Sequence, residues 1–227
     1  MIKNYKNVLA FFAHPDDETL AAGATIKLLT STGSKVTVAI PSTGIFSRSN
    51  QVNQNKKLNL LRKNCLKALK ILGINKSNIY FGEFSDNEMD KHTLLELVKW
   101  LEKIIKKIKP DLVLTHHRFC TNIDHQYCHE AAVVATRSNT KSHIPLISCE
   151  VPSSTGYLKP TQWEPNLYVE VKKKHLDAKI KAMQAYHEEK RSNPHPRSPE
   201  VLRAIAKVRG SESGYMLAES FMIEKIY

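Results

Sequence analysis

Four side chains that can bind a metal or move a proton come directly after a short apolar segment. They stand in the run Ala-His-Pro-Asp-Asp-Glu at positions 13–18, and the apolar segment covers residues 8–12. Acidic groups beside a core cost free energy unless a cation, a hydrogen-bond network or chemistry compensates. His14 and Asp17, with Asp16 between them, can supply two metal ligands and one base that binds no metal.

A second group of candidate ligands lies in the segment 121–130, where His125 and His129 are four residues apart. That spacing places both on one face of a helix, and an alanine- and valine-rich helix is expected over 131–136. With His14 and Asp17 they offer enough ligands for a catalytic zinc ion, which takes three protein groups and leaves one position open. Asp16 would then be the general base for a metal-bound water. The spacing alone leaves a plainer alternative open, in which the acids cap the following helix and the histidines are structural.

The elements that must position these groups alternate between strand and helix. Apolar runs at 8–12, 36–40 and 111–115 predict buried strands, and helical periodicity appears over 58–72 and 94–108. Such alternation predicts an α/β fold with a mostly parallel sheet and helices on both faces. Sites in these folds form at the carboxyl ends of strands. We therefore expect residues 14–18 and the later run Thr-His-His at 115–117 to lie at one sheet edge.

Beyond residue 150 the composition changes. Residues 151–165 are rich in Pro, Ser and Thr and predict a loop that shapes a substrate opening. A strand over 167–171, a helix to about residue 186, a proline-rich stretch at 191–198 and a helix from Pro199 to about Gly210 are expected next. We expect one domain over 1–227, with a core of about 1–150 and with 151–227 adding the loop and the C-terminal elements.

Composition narrows the classes of protein. No apolar stretch is long enough to span a membrane and no signal peptide is evident, which predicts a cytoplasmic protein without a membrane partner. The four cysteines form no CxxC pair and are expected to be reduced, although Cys120 and Cys128 flank the histidines and could act as soft ligands. The net charge of +12 favours anionic partners such as nucleotide sugars. Without a zinc-finger or RNP-like pattern, nucleic acid is not an expected partner.

Three segments carry a resemblance to a known family. The run at 13–18 resembles the signature of the LmbE-like or PIG-L family of zinc-dependent N-deacetylases, and Asn-Ile-Asp-His at 122–125 resembles its second signature. The segments 194–198, 209–212 and 218–221 are similar to a recurring ending in one bacterial branch. The resemblance implies a Rossmann-like three-layer sandwich, with His14, Asp17 and His125 as Zn²⁺ ligands and Asp16 as general base. It gives Asp124 the role of orienting a neighbour by hydrogen bonding.

One position departs from the family pattern. Many members carry a histidine three residues before the last ligand, where it stabilises the oxyanion, but this chain has Asn122. An asparagine amide can donate a hydrogen bond to an oxyanion but carries no charge. His195, in a proline-stiffened loop, is the candidate replacement, with an exposed loop histidine as the alternative. Arg48, which follows the second predicted strand, could bind a substrate phosphate or carboxylate.

The expected function is hydrolysis of the N-acetyl amide of a small amino sugar or sugar conjugate, either nucleotide-linked or otherwise anionic. The resemblance implies Zn²⁺, and Fe²⁺ or Co²⁺ suit the same nitrogen and oxygen ligands. Alternatives are an amidase for another acyl amide, such as a thiol-sugar conjugate or antibiotic precursor, and a non-catalytic sugar- or nucleotide-binding module. A homo-oligomer is compatible with the sequence.

Overall fold

The first strand, β1 (Asn7–Phe11), lies inside a seven-stranded sheet and is buried on both faces. The computed structural model describes residues 2–43, 54–138, 143–157 and 163–227. Val8 and Ala10 pack into one hydrophobic cluster, and Leu9 and Phe11 pack into another. Alternate residues of a strand point to opposite faces, so the sheet is covered on both sides.

The sheet is parallel except for one strand. Its order is β3-β2-β1-β4-β5-β7-β6, and β7 runs antiparallel to both of its neighbours. The predicted mostly parallel sheet is confirmed. The remaining strands are β2 (Lys35–Ser42), β3 (Ile79–Phe84), β4 (Leu112–His116), β5 (Leu146–Cys149), β6 (Leu167–Glu170) and β7 (Ala218–Lys225).

Helices form the two outer layers, as the three-layer prediction requires. Side chains of α1, α2 and α5 share the cluster on one face, whereas those of α3 and α4 share the cluster on the other. The sixth helix, α6, packs against β7. The helices are α1 (Asp17–Ser31), α2 (Gln54–Leu72), α3 (Leu94–Ile108), α4 (Ile123–Ala135), α5 (Lys173–Ala185) and α6 (Pro199–Ser213).

The predicted bounds are correct for α3, but they are wrong for the start of α4 and for the end of α6. Helix α3 has the predicted bounds, because Thr93 and Glu96 form a capping box before its first turn. Helix α4 begins at Ile123, eight residues earlier than expected, so it includes both His125 and His129. The prediction that Gly210 ends α6 is wrong, since the helix continues to Ser213 and ends at Gly214, whose φ is 74°. At Gly210, a Cβ atom would lie 2.6 Å from the carbonyl oxygen of Tyr215, so this glycine permits close packing.

Helix α1 is joined to β7 by hydrogen bonds to a buried carboxylate that is also paired with a lysine of α5. Its backbone is kinked at Ala22 (φ −131°, ψ 18°). The carboxylate of Glu219, on β7, accepts hydrogen bonds from the backbone N–H groups of Ala24 (3.2 Å) and Thr25 (2.6 Å). Lys179 of α5 donates to the same carboxylate at 2.6 Å, and both charged side chains are at most 7% exposed. Glu219 thus supports the helix just after its kink.

The described residues include all four cysteines and the six helices α1 to α6. All four cysteines are free and buried. Over the same ranges, no helix combines the length and the apolar character that a membrane span requires.

Candidate active site

The candidate site lies where the sheet changes its winding direction. Strands β1 and β4 are neighbours, and the chain leaves them toward opposite flanks of the sheet, which creates a crevice at their carboxyl ends. A cleft of about 360 Å³ opens there. Residues predicted from the sequence line it together: His14, Asp16, Asp17, Asn122, His125 and His195. Arg48, the other predicted cleft residue, lies outside the described residues.

Three side chains converge on one point of the cleft. Oδ2 of Asp17 lies 3.1 Å from Nδ1 of His14 and 3.1 Å from Nε2 of His125. Ligands about 2.0 Å from a tetrahedral zinc ion are separated by about 3.3 Å, so the distances from Asp17 to the two histidines are those of such a site. All three atoms lie within 4.8 Å of one another. The donor set of two imidazoles and one carboxylate therefore fits a divalent metal ion.

Asp124 fixes the hydrogen position on His14. Its Oδ2 lies 2.9 Å from Nε2 of His14 and also accepts from the backbone N–H of Asn87, while Oδ1 accepts from the N–H of Met89. A carboxylate facing Nε2 favours the tautomer that carries its hydrogen on that nitrogen. If a metal ion replaces the second proton of the ring, Nδ1 would present its lone pair at the point shared with Asp17. Asp124 lies behind His14 and is fully buried.

The charges of these groups are strongly coupled. Burial disfavours the charged form of His14, but the hydrogen bonds that its ring donates to Asp124 and Asp17 outweigh it and raise the pKa of His14 to about 10. Burial likewise opposes the charge on His125, while Asp17 raises its pKa to about 9. The pKa of Asp17 falls well below its usual value, because His125 and His14 outweigh the effect of burial. A cation bound by these three side chains would replace protons that the cluster holds without it.

Asp16 is set apart from this triad. Its backbone is left-handed, with φ 111°, and the residue is only 3% exposed. Burial raises the pKa of Asp16 well above its usual value, although Arg197 opposes the shift. Nη1 of Arg197 donates to Oδ2 of Asp16 at 2.8 Å. A carboxylate with raised proton affinity beside three metal-ligand atoms has the properties of a general base.

The last acid of the run has a structural environment. Glu18 is fully buried in the first turn of α1 and accepts from the backbone N–H of Asp16 and from the hydroxyls of Thr19 and Tyr186. Burial raises the pKa of Glu18. These hydrogen bonds hold the turn that carries Asp16. The alternative that the acids only support the start of the following helix therefore applies to Glu18 better than to Asp16 or Asp17.

A second grouping of metal-ligand types surrounds His125. His116, Cys120 and His125 also have donor atoms close enough to hold an ion. However, Nε2 of His116 accepts the backbone N–H of Ala13 at 2.8 Å, which occupies its lone pair. The ring of His116 stacks on His125 with centroids 3.8 Å apart. The His14–Asp17–His125 set is therefore the better metal site.

The two candidates for oxyanion contact differ in what their polar atoms already bind. Oδ1 of Asn122 caps α4 by accepting the N–H of Asp124, and its Nδ2 donates to Oδ1 of Asn87 at 2.6 Å. Nδ1 of His195 accepts the backbone N–H of Arg197 at 3.1 Å. A neutral His195 therefore carries its hydrogen on Nε2, as a donor.

The structure adds residues that the sequence did not single out. Arg197 and Glu189 line the cleft from the C-terminal part of the chain, and Asp86 and Asn87 line it from the end of β3. Arg197 stood in the segment that carried the family resemblance, next to His195. Nothing in its spacing indicated that it would reach Asp16, 181 residues earlier.

Comparison with known proteins gives consistent results. The family model for PIG-L, described as GlcNAc-PI de-N-acetylase, matches residues 9–136. A probable N-acetyl-alpha-D-glucosaminyl L-malate deacetylase 2 of Bacillus cereus is 31% identical over 147 residues, which cover 63% of this chain and 66% of that protein, just under two thirds. The uncharacterized deacetylase YaiS of Escherichia coli is 27% identical over 189 residues, covering 80% of this chain and 90% of the relative.

A solved structure has the same fold. The N,N'-diacetylchitobiose deacetylase from Pyrococcus horikoshii superposes with a TM-score of 0.78 at 22% identity, over 98% of this chain and 85% of that one. This similarity extends through the C-terminal strands.

Proposed function

Because this chain belongs to the PIG-L family of deacetylases, we propose that it is a metal-dependent enzyme that removes the N-acetyl group from an amino sugar or sugar conjugate. The family resemblance of the run at 13–18 is confirmed, since the match covers more than half of the chain. One observation carries the proposal: three metal-ligand atoms meet in a cleft beside Asp16, a buried carboxylate outside the ligand set.

His14, Asp17 and His125 would hold the metal. Zinc suits this mixed nitrogen and oxygen set, and Fe²⁺ or Co²⁺ are alternatives with the same ligand preference. When bound, such an ion polarises the amide carbonyl and increases the acidity of water. Asp124 keeps the lone pair of His14 on Nδ1 by accepting the hydrogen of Nε2.

Asp16 would move the proton. It accepts one from the attacking water and delivers it to the amide nitrogen, so that the C–N bond breaks and acetate and a free amine leave. The burial that raises the pKa of Asp16 supports this role, because it increases the proton affinity of the carboxylate. A protein that only binds a metal or a sugar does not need a carboxylate such as Asp16, which lies beside the metal ligands without being one of them.

His195 is the better candidate for stabilising the oxyanion. Its Nε2–H is a donor in the cleft, whereas both polar atoms of Asn122 already make hydrogen bonds within the protein. We assign Asn122 to holding the start of α4 and the loop after β3. In this assignment, Asn122 keeps α4 and the loop after β3 in place and supplies no hydrogen bond to the oxyanion.

An anionic sugar conjugate is the proposed substrate class. The Bacillus cereus relative is named for an L-malate conjugate of N-acetylglucosamine. In this chain, Arg191 lies on the cleft wall, and the net charge of +12 attracts anions. Arg48 is proposed as a further contact to a substrate phosphate or carboxylate. The cytoplasmic location and the homo-oligomer stay predictions from the sequence.

Acetate release tests the proposal. The zinc-loaded protein is incubated with N-acetylglucosamine, N,N'-diacetylchitobiose, an N-acetylglucosaminyl malate, a nucleotide-linked N-acetylglucosamine and a thiol glycoside. We expect turnover on at least one conjugate, loss of at least about 100-fold in Asp16→Asn with zinc retained, and a smaller loss in His195→Ala. Asp90→Asn, which changes an exposed acid, is the control.

The outcomes separate the alternatives. A zinc-loaded protein that releases no acetate from any conjugate contradicts the deacetylase proposal, and the same panel with longer acyl groups then tests the amidase alternative. Zinc binding without hydrolysis of any amide favours a binding module. Full activity in Asp16→Asn shows that another group is the base.

A further inference from the structure

Arg197 binds the carboxylate of Asp16 from the far end of the chain. Its Nη1 lies 2.8 Å from Oδ2 of Asp16, and both side chains are largely buried, at 22% and 5% exposure. The contact joins the loop before α6 to the turn before α1. Arg197 lies outside the 9–136 segment that matches the family model, whereas Asp16 lies within it.

The backbone of Asp16 is already fixed from other directions. Its N–H donates to Glu18, and its carbonyl accepts the N–H groups of Thr19 (3.0 Å) and Leu20 (2.8 Å). What remains to be set is the orientation of the carboxylate. Arg197 holds Oδ2, and within the described part of the chain no hydrogen bond reaches Oδ1. The two oxygens of Asp16 are therefore inequivalent.

The guanidinium of Arg197 is itself held by two further groups. Nη1 also donates to Oε2 of Glu189 at 3.1 Å, and Nε donates to Oγ of Ser153 at 3.2 Å. Because the guanidinium is planar and its donors are fixed, holding two of its nitrogens also fixes the direction of the hydrogen bond to Asp16. A lysine ammonium, which rotates freely, would fix that direction less well. Glu189 also shares the charge of Arg197, so the pairing with Asp16 is weaker than that of an undivided ion pair.

From these contacts we propose that Arg197 is a positioning residue for Asp16, holding Oδ2 so that Oδ1 faces the reacting water. Glu189 and Ser153 set the plane of the guanidinium. This inference rests on the proposed deacetylase function, in which Asp16 is the base. Arg197 touches the base and is assigned no contact with the substrate.

Kinetics of matched variants test the assignment. Arg197→Met and Arg197→Lys are compared with Arg203→Met, which removes an arginine paired with Asp177 away from the cleft. We expect Arg197→Met to lose about 100-fold in kcat with KM within about threefold of wild type, since a base displaced by about 1 Å costs about that much. Millimolar guanidinium should restore part of kcat in Arg197→Met but not in wild type or in Arg203→Met. The kcat of Arg197→Lys should be little higher than that of Arg197→Met, because an ammonium lacks the planar set of donors.

Two readouts do not depend on turnover. Zinc affinity and the visible spectrum of the cobalt-loaded protein should be unchanged in Arg197→Met, because Arg197 contacts no metal ligand. A crystal structure of Arg197→Met should show the Asp16 carboxylate rotated from its wild-type orientation. If Arg197→Met does not fold, Arg197→Lys, with a similar expected loss in kcat, and Glu189→Gln, with a smaller one, carry the same kinetic comparison.

Each remaining result decides against the inference. A raised KM with unchanged kcat makes Arg197 a substrate contact. Unchanged kcat and KM, or an Asp16 carboxylate that keeps its orientation, leave the ion pair a structural one. If wild type itself hydrolyses no amide, the proposed function fails, and that result is distinct from an active wild type whose Arg197 variants are equally active.

Discussion

Replacing Asp124 by asparagine should weaken metal binding, although Asp124 is not itself a proposed metal ligand, because it contacts the proposed ligand His14. In the wild type, Oδ2 of Asp124 accepts from His14 and from the N–H of Asn87, and Oδ1 accepts from the N–H of Met89. Asparagine has one accepting oxygen. If that oxygen takes the place of Oδ2, the N–H of Met89 faces an amide group and loses its partner, at a cost of about 1–3 kcal/mol.

The other orientation of the amide is worse for the metal. Its NH₂ group then faces Nε2 of His14, which must become an acceptor, so the ring hydrogen moves to Nδ1 and blocks the donor atom. The first orientation keeps the tautomer but removes the negative charge that supports it. Changes of this kind typically cost 10- to 100-fold in metal affinity, or about 1.4–2.7 kcal/mol.

Competition with a chromophoric chelator measures the zinc affinity of Asp124→Asn, and thermal melting of the chelated protein measures the separate structural cost. We expect the affinity to fall about 10- to 100-fold and Tm to fall by roughly 3–9 °C. Asp90→Asn should change neither quantity. A folded Asp124→Asn protein with zinc affinity within about threefold of wild type refutes the idea that Asp124 sets the tautomer of His14.

Three further predictions concern stability. Lys179→Met leaves Glu219 buried without its counter-charge, so the free energy of unfolding in urea should fall by about 3–5 kcal/mol; a loss below about 1 kcal/mol contradicts the importance of this pair. Gly23→Ala places a Cβ atom 2.9 Å from Cγ of Lys179, so urea unfolding should show a loss of about 1–3 kcal/mol, and an unchanged midpoint means that the lysine stem moves aside. In the chelated protein, burial lowers the pKa values of His14 and His125, but their carboxylate partners raise them to about 10 and about 9. Raised values stabilise the fold fully below pH 6.5 and lose that contribution as pH rises through 9 and 10, so Tm should fall across this range in an alkaline melting series; a flat profile contradicts the coupling.

The sequence was sufficient for the central features of the fold. Apolar runs with flanking helical periodicity predicted β1, β2, β4 and β6, because buried strands and amphipathic helices leave strong local patterns. The parallel strands β3 and β5 were not predicted. The bounds of α3 were right, with the Thr93 capping box at its start. The start of α4 was missed although Asn122 caps it, and the end of α6 was placed at Gly210 instead of at the capping residue Gly214. The antiparallel strand β7 was missed, since pairing between distant segments leaves little mark on a single strand's composition.

The site residues that stand in recognisable motifs could be predicted from the sequence, whereas a contact that depends on the path of a distant loop could not. His14, Asp16 and Asp17 stand in one dense run, and the fold order placed His125 at the same edge of the sheet. Arg197 could not be assigned from spacing, because its contact depends on how a proline-rich loop crosses the cleft. The tautomer of His195 depends on a backbone N–H two residues away, which only coordinates reveal.

The position of β7 inside the sheet has a consequence for the order of folding. Strand β6 pairs only with β7 in the described structure, although β7 is synthesised about fifty residues later. Glu219 on β7 also joins the part of α1 after its kink, across a separation of 195 residues. Such long-range closures are slow because chain entropy is lost before contacts form. His14, Asp17 and His125 all precede β7 in the chain, so the residues of the candidate metal site are synthesised before the strand that joins β5 to β6.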